Sequence, residues 1–132
     1  MARVLCIGGV FFRCADPDGT RDWYVENLGL PKDELGFVVL PWTREAPGLK
    51  AATVWAPFAA DTGYFDAPEG GQPSEFMINY LVDDLDGMRA QLEAKGVTVL
   101  PQVEEMKGIG RFGYAVDCDG RKFELWEPER ED

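Results

Sequence analysis

The sequence predicts an α+β fold in which one supersecondary unit is used twice. A hexapeptide at 16–21, DPDGTR, returns half a chain length later at 84–89 as DLDGMR. Each copy follows an apolar run and leads into a helical pattern that stops at a glycine, Gly29 in the first case and Gly96 in the second. Such self-similarity is typical of a duplicated unit, and two facing copies enclose a cleft. The alternative is two helix starts that merely share good capping chemistry.

Composition restricts the class of protein. A chain of 132 residues with 45% hydrophobic residues is long enough for a single domain with a real core. A net charge of −11 argues against a basic surface that binds nucleic acid or anionic membrane. No apolar run is long enough to span a bilayer, and the N-terminal segment is too short and interrupted for a signal peptide.

The residues that chemistry often uses are scarce. There is no histidine, so the commonest metal ligand and the usual neutral-pH general base are missing. Three cysteines at wide spacing, Cys6, Cys14 and Cys118, are typical of reduced thiols in a cytoplasmic protein. They form neither a disulfide framework nor a zinc motif.

In the first unit, Asp16 is a favourable N-cap and Pro17 suits the first helical position. The helix carries the apolar stripe Trp23, Tyr24 and Leu28. Strands are predicted at 6–14, 37–42 and 52–55, with prolines stopping the last two. Residues 59–74 have loop composition, with a weak strand signal at Tyr64 and Phe65.

In the second unit, a strand at 76–82 precedes a helix capped by Asp84. A short strand is predicted at 97–100, followed by a hairpin whose arms are 111–116 and 122–126. The Asp-Gly pair at 119–120 is strong turn chemistry. We therefore expect a single domain, 1–132, with a first module at 4–66, a linker at 67–74 and a second module at 75–128.

Three segments resemble the vicinal oxygen chelate superfamily, which includes glyoxalases, bleomycin-resistance proteins and extradiol dioxygenases. They are WYVENLGL at 23–30, VDDLD at 82–86 and DCDGRKFELWEP at 117–128, in the superfamily's order and spacing. The resemblance covers nearly the whole chain. It implies two βαβββ modules in a pseudo-twofold arrangement, whose mixed sheet curls into a cup.

The resemblance also implies a divalent metal held by one residue on each of four strands. The matching positions are Gly9, Met77 and Glu124, with the fourth left open among Asp61, Glu69 and Glu75. Glycine has no donor, and a thioether is too soft for Mg, Mn, Fe or Zn. The sequence therefore predicts no metal and no other cofactor.

Alternation along the predicted strands gives the side chains that face the cup. On this ground the candidate ligand-binding residues are Phe11, Arg13, Met77, Asn79, Glu124 and Trp126. Trp42 and Trp55 join them as aromatic side chains that would extend the wall, with no face assigned, and Arg111 joins them as a partner for Glu124. Leu81 and Lys122 share this face, whereas Phe12, Ile78, Tyr80, Phe123 and Leu125 are expected to face the helices. Aromatic walls with sparse polar groups are typical of small-molecule pockets. The alternative is that these aromatic side chains simply fill the cup.

Glu124 is the candidate catalytic residue. Burial between aromatic side chains would raise its pKa and suit it to acid–base chemistry. The alternative is a structural ion pair with Arg13 or Arg111. Asn79 is equally consistent with binding a ligand carbonyl or bonding nearby backbone. The run GIGRFG at 108–113 lacks the strand-to-helix context of a dinucleotide site, so we expect it to form part of the cup rim.

Four functions remain open from the sequence. The first is a protein that binds a small aromatic or amphipathic molecule without metal. The second is a metal-independent isomerase, lyase or cyclase that uses Glu124. The third is a lyase or dioxygenase with noncanonical metal ligands, and the fourth is an interaction module. A homodimer is expected, as the resemblance implies.

Overall fold

A computed structural model describes residues 1–28, 30–41, 52–68, 74–118 and 120–130. Within these ranges the chain forms a seven-stranded mixed sheet and two helices. The elements in chain order are β1 (Val4–Cys14), α1 (Pro17–Leu28), β2 (Val38–Pro41), β3 (Ala52–Ala59), β4 (Phe76–Val82), α2 (Leu85–Ala94), β5 (Thr98–Met106), β6 (Gly110–Val116) and β7 (Lys122–Pro128). Gly29, Glu69 and Trp42, which entered the predictions above, lie outside the described residues.

The order of strands in the sheet is β2-β3-β1-β4-β7-β6-β5. At its centre β1 and β4, the first strands of the two units, pair antiparallel. On one side β1 pairs parallel with β3, which pairs antiparallel with β2. On the other side β4 pairs parallel with β7, which pairs antiparallel with β6. The two halves thus repeat one topology about a pseudo-twofold axis, which confirms the predicted fold class.

The repeat is less complete in the first half. The second half adds β5 next to β6, whereas residues 30–37 contribute only an isolated bridge between Lys32 and Val38. That stretch is occupied by a tight turn in which Asp33 accepts hydrogen bonds from the backbone of Leu35 and Phe37, both 2.9 Å. Because this turn takes up much of the stretch, residues 30–37 do not form a full strand.

The repeated hexapeptide forms the same cap at both helix starts. Asp16 accepts a 3.1 Å hydrogen bond from the Gly19 amide, and Asp84 accepts a 3.0 Å bond from the Gly87 amide. A Cβ at either glycine would lie 2.4 Å from the capping carboxylate. Capping chemistry and duplication are therefore both present, and the glycine is required by the close approach of the carboxylate.

Two strands are longer than predicted. β3 continues through Pro57 to Ala59, although a stop before Pro57 was expected. Pairing with β2 covers only residues 52–55, so among the described residues one side of β3 has no neighbouring strand at Pro57, and a missing N–H is tolerated there. β5 likewise extends to Met106, because β6 pairs with it along the hairpin up to Gly110.

Both helices cover the same face of the sheet. Trp55 packs against Tyr24 of α1 and against Phe12, and Tyr80 and Phe123 belong to the cluster under α2. Because Phe12 is paired in register with Phe76, and Tyr80 follows Phe76 by an even step, all of these side chains share one side. The opposite, concave face holds two further clusters, around Leu81 with Trp126 and around Phe11 with Met77.

Among the described residues, neither helix combines the length and the hydropathy that a bilayer crossing requires.

Candidate functional site

We call the concave face of the sheet the cup; its side chains come from β1, β3, β4, β6 and β7. Glu124 lies at its centre and is only 2% exposed. Its Oε1 accepts a 2.5 Å hydrogen bond from Asn79 Nδ2, and its Oε2 accepts a bond from the Tyr64 hydroxyl. Asn79 and Glu124 are register partners on neighbouring strands, so the parallel pairing of β4 and β7 sets this contact. The result is a buried carboxyl with a donor on each oxygen.

Burial raises the pKa of Glu124 above its usual value, and the hydrogen bonds from Tyr64 and Asn79 offset only part of that rise. Neither Arg13 nor Arg111 neutralises this carboxyl. Arg13 pairs with Asp66 at 2.7 Å, and Arg111 pairs with Asp86 at 2.9 Å. The alternative of an ion pair between Glu124 and Arg13 or Arg111 is therefore wrong.

Tyr64 comes from residues 60–68, which we call the strap. The strap is a run of turns after β3, so the weak strand signal at Tyr64 and Phe65 was misleading. The Tyr64 ring stacks on Phe58 with 5.5 Å between centroids and an interplanar angle of 5°. It also meets Tyr114 edge to face at 5.9 Å. The strap thus lays a phenol ring over Glu124 and closes this part of the cup.

Arg13 fastens the strap. Its guanidinium donates to Ser74 O at 2.7 Å, to Ala60 O at 3.3 Å and to Asp66 Oδ1 at 2.7 Å, and it lies 5.5 Å from the Phe65 ring centroid. A planar fork with five donors suits such a multiple contact. Arg13 therefore lies in the cup as predicted, but it holds backbone and strap.

Lys122 supplies the positive charge of the cup. Its ammonium donates to Tyr64 O at 2.9 Å and lies 4.9 Å from the Tyr64 ring centroid and 4.6 Å from that of Tyr114. Burial lowers its pKa, while Glu124 and Glu104 act in the opposite sense. A cation over two aromatic faces stabilises both rings in place.

Gly8 makes room for the Glu124–Asn79 pair. A Cβ at Gly8 would lie 2.3 Å from Asn79 Oδ1 and 3.0 Å from the Trp126 ring. The pairing of β1 with β4 is irregular between Ile7 and Gly9, which is where the cup-facing side of β1 changes from even to odd residues. Asn79 Oδ1 is buried and has no hydrogen-bond partner within the described part of the chain. The site therefore contains an acceptor that a bound molecule can use.

Several predicted residues do lie in the cup. Phe11 and Met77 pack with Phe65, and Trp126 packs with Leu81. The Trp126 indole donates to Ile109 O at 3.0 Å, and its ring stacks on Phe112 with 6.0 Å between centroids. The glycine-rich run at 108–113 therefore borders the cup, as expected for a rim.

Two predicted residues lie on the other face. Trp55 contacts Phe12 and Tyr24 beneath α1, because its position on β3 has the parity of the helix side. Arg111 likewise faces α2, where Asp86 pairs with it. The prediction that Trp55 and Arg111 line the cup is therefore wrong.

Sequence reasoning missed Tyr64 and Tyr114. Tyr114 is the register partner of Glu124 across β6 and β7, so alternation along the predicted hairpin contained the signal for it and for Phe112. Tyr64 carried no such signal, because a turn segment has no periodicity that says where its side chains point.

The cup does not provide a typical metal site. The four central strands place Val54, Gly9, Asn79 and Glu124 in one register row, which offers one carboxylate and one amide. Among the residues that the structure describes, no group of three or more His, Cys, Asp or Glu is placed to hold a metal. Asp61 and Glu75 are exposed. A divalent ion needs more oxygen donors than this row provides, so the donor set does not fit the metal of the superfamily.

The sheet order and the duplicated halves give this chain the fold of the vicinal oxygen chelate superfamily. Methylmalonyl-CoA epimerases are among the solved structures that it resembles. A Streptomyces coelicolor enzyme variant with bound 2-nitronate-propionyl-CoA has a TM-score of 0.68 at 18% identity, covering 93% of this chain and 96% of that one. An epimerase with bound methylmalonyl-CoA and NH4+ has a TM-score of 0.67 at 19% identity, with coverages of 93% and 94%.

The Mycobacterium tuberculosis epimerase has a TM-score of 0.62 at 20% identity, covering 96% of this chain and 89% of that one. Neither the family models nor the curated proteins contain a match. At these identities the likeness concerns the fold, and the earlier resemblance is confirmed at that level.

Proposed function

We propose that this protein binds a small planar aromatic molecule in the cup, in the space that the Tyr64 ring now fills. The observation that carries the proposal is the way Tyr64 is held. Its ring lies flat on Phe58, its hydroxyl bonds Glu124 and Tyr114, and Lys122 lies over its face. A ligand ring that replaces Tyr64 finds the same flat partner, acceptor and cation.

The strap makes this exchange plausible in physical terms. The strap contacts the sheet through the side chains of Arg13 and Lys122, the Tyr64 hydroxyl and the packing of the Tyr64 and Phe65 rings, not through a strand ladder. Segments with few backbone bonds to their neighbours open at low free energy. A bound aromatic ring would offset the burial that Tyr64 loses when the strap withdraws.

The charge of the chain narrows the ligand class. Methylmalonyl-CoA, bound by the epimerase named above, carries a polyanionic head. A chain with 24 acidic and 13 basic residues disfavours such a head. The two cup cations, Arg13 and Lys122, already bond the strap. We therefore expect a neutral or weakly charged aromatic ligand.

The test uses 4-methylphenol, the side-chain analogue of tyrosine, with toluene as the matched compound without a hydroxyl. Tyr64→Ala vacates the space of the phenol ring. This variant should therefore bind 4-methylphenol more tightly than wild type does, and more tightly than it binds toluene. Fluorescence titration reports binding through Trp126, which lies in the cup. Quenching should persist in Trp55→Phe, which alters the helix face, and disappear in Trp126→Phe. Absence of saturable binding to both wild type and Tyr64→Ala would overturn the proposal.

A second candidate function is metal-independent acid–base chemistry at Glu124. The observation in its favour is the raised pKa of a buried carboxyl that faces an aromatic space. A carbon acid with an aromatic ring, such as phenylacetone, serves as the probe in D2O. Deuterium incorporation followed by NMR should be faster with wild type than with Glu124→Gln at equal occupancy. Equal rates would leave binding as the sole function.

A further inference from the structure

A chain of four oxygen-bearing side chains leads from the buried carboxyl to the protein surface. Tyr64 Oη bonds Glu124 Oε2, Tyr64 Oη and Tyr114 Oη are 2.6 Å apart, and Tyr114 Oη lies 3.3 Å from Glu104 Oε2. Glu124 is 2% exposed and Tyr114 is fully buried, whereas Glu104 lies on the exposed stretch of β5. Buried hydrogen-bonded networks of this kind are expensive to leave incomplete, so their continuity is informative.

We propose that Tyr64 and Tyr114 form a proton relay that connects Glu124 with solvent through Glu104. The relay rests on the proposed proton-transfer role of Glu124 and names two positioning residues for it. It operates while Tyr64 occupies the cup, and so sets the protonation state of Glu124 before a ligand displaces the Tyr64 ring. It explains why two tyrosine hydroxyls meet over a carboxyl that water does not reach.

The transfer balances without a charged tyrosine. When Glu104 is protonated, its proton passes to Tyr114 Oη, the Tyr114 proton passes to Tyr64 Oη, and the Tyr64 proton passes to Glu124 Oε2. Three O–H bonds break and three form, and the negative charge moves from Glu124 to Glu104. Glu104 then takes a proton from water, and rotation of the two hydroxyls restores the starting order.

The surroundings favour concerted transfer. Burial raises the pKa of both Tyr64 and Tyr114 above the ordinary value for tyrosine, so a tyrosinate intermediate is disfavoured. The other polar, titratable and charged groups around the relay are Asn79 on β4, Lys122 on β7, and Asp66 on the strap, which is paired with Arg13 of β1. The charged Lys122 ammonium has no acceptor, so it cannot pass the proton to Glu124 in place of the tyrosines.

The experiment follows protonation of Glu124 after a rapid pH drop through its pKa, by time-resolved infrared spectroscopy. The band of the protonated carboxyl is assigned as the one lost in Glu124→Gln. Tyr114→Phe should slow its appearance by about tenfold or more, as expected from about 1.4 kcal/mol on the barrier. Glu104→Gln, at an exposed position that tolerates substitution, should slow it as well.

Glu105→Gln is the matched control, since Glu105 lies next to Glu104 but is paired in register with Arg111 on the helix face. It should leave the rate unchanged. Wild-type rates in both Tyr114→Phe and Glu104→Gln would overturn the relay. No ligand is used, so that result would leave the proposed binding site standing, whereas failure of 4-methylphenol to bind would leave the relay untouched.

Discussion

At the scale of single residues, the site is defined by how one carboxyl is kept from water. Glu124 is buried at the centre of the sheet, and both of its oxygens accept hydrogen bonds from neutral donors. Neutral donors stabilise a carboxylate less than a cation does. The carboxyl therefore retains a raised pKa, and its protonation state becomes part of the stability of the fold.

Glu124 should make the protein less stable as pH rises. Its folded pKa lies above the unfolded value of 4.5, so the folded state binds the proton more strongly. Below pH 4.5 the carboxyl is protonated in both states, so its contribution to stability is complete and does not change with pH. As pH rises from 4.5 through the folded pKa, the free energy of unfolding falls by about 1.4 kcal/mol for each pH unit between the two pKa values. Glu124→Gln should remove this slope, measured by urea unfolding across pH.

The control for that prediction is Glu105→Gln, which changes an exposed carboxylate that is paired in register with Arg111 on the helix face. Its pH profile should follow that of wild type. A Glu124→Gln profile parallel to wild type over the whole range would contradict the burial argument.

The residues of the site differ in how far the sequence could predict them. Strand alternation placed Glu124, Asn79, Met77 and Trp126 in the cup, because a period of two decides the face of every residue once one is known. The rule could not be applied to Trp55, because no residue of its strand had a known face, and its assignment to the cup was wrong. It said nothing of Tyr64, because the direction of a side chain in a turn depends on tertiary contacts with Phe58 and Lys122 that have no local pattern.

At the scale of elements, the strap is the part of the molecule whose position is least determined by the sheet. Its backbone bonds are internal turns, such as Asp66 N to Gly63 O at 3.1 Å. Arg13 joins it to β1 and to the segment before β4 through three acceptors. The composition of residues 59–74 predicted a loop, and residues 60–68 form one. Composition does not say, however, that a loop folds back into the cup.

Removing Arg13 should loosen the strap. Arg13→Ala deletes the ion pair with Asp66 and two hydrogen bonds to backbone carbonyls. Because Asp66 is about half exposed, we expect the loss to lie at the low end for bonds to a charged group, about 1.5 kcal/mol. Amide hydrogen exchange at Tyr64 and Asp66 should speed up by roughly tenfold. Arg111→Ala removes an arginine whose ion pair lies on the helix face, so it should leave strap exchange unchanged. Equal protection of the strap in both variants would refute the role of Arg13.

At the scale of the whole molecule, the two halves meet along β1 and β4 and share the cup. Side chains from both halves contribute to one cluster, in which Phe11 and Phe65 of the first pack with Met77 of the second. A core that crosses the seam argues against independent unfolding of the halves. The repeated sequence predicted this duplication, because Asp16 and Asp84 cap equivalent helices.

The duplication predicts equal and additive effects of the two caps. Asp16→Ala and Asp84→Ala should each lower the free energy of unfolding by about 1 kcal/mol, because each leaves the amide of an equivalent glycine without its acceptor. The two caps share no partner, so the double variant should lose about 2 kcal/mol, within about 0.5 kcal/mol of the sum of the single losses.

Asp18→Ala and Asp86→Ala are the matched controls. These aspartates lie two positions further on, in exposed ion pairs with Arg21 and Arg111, and should have no measurable effect. Urea unfolding should show one transition in every variant. Two separate transitions, or a loss confined to one cap, would show that the halves are not equivalent parts of one cooperative unit.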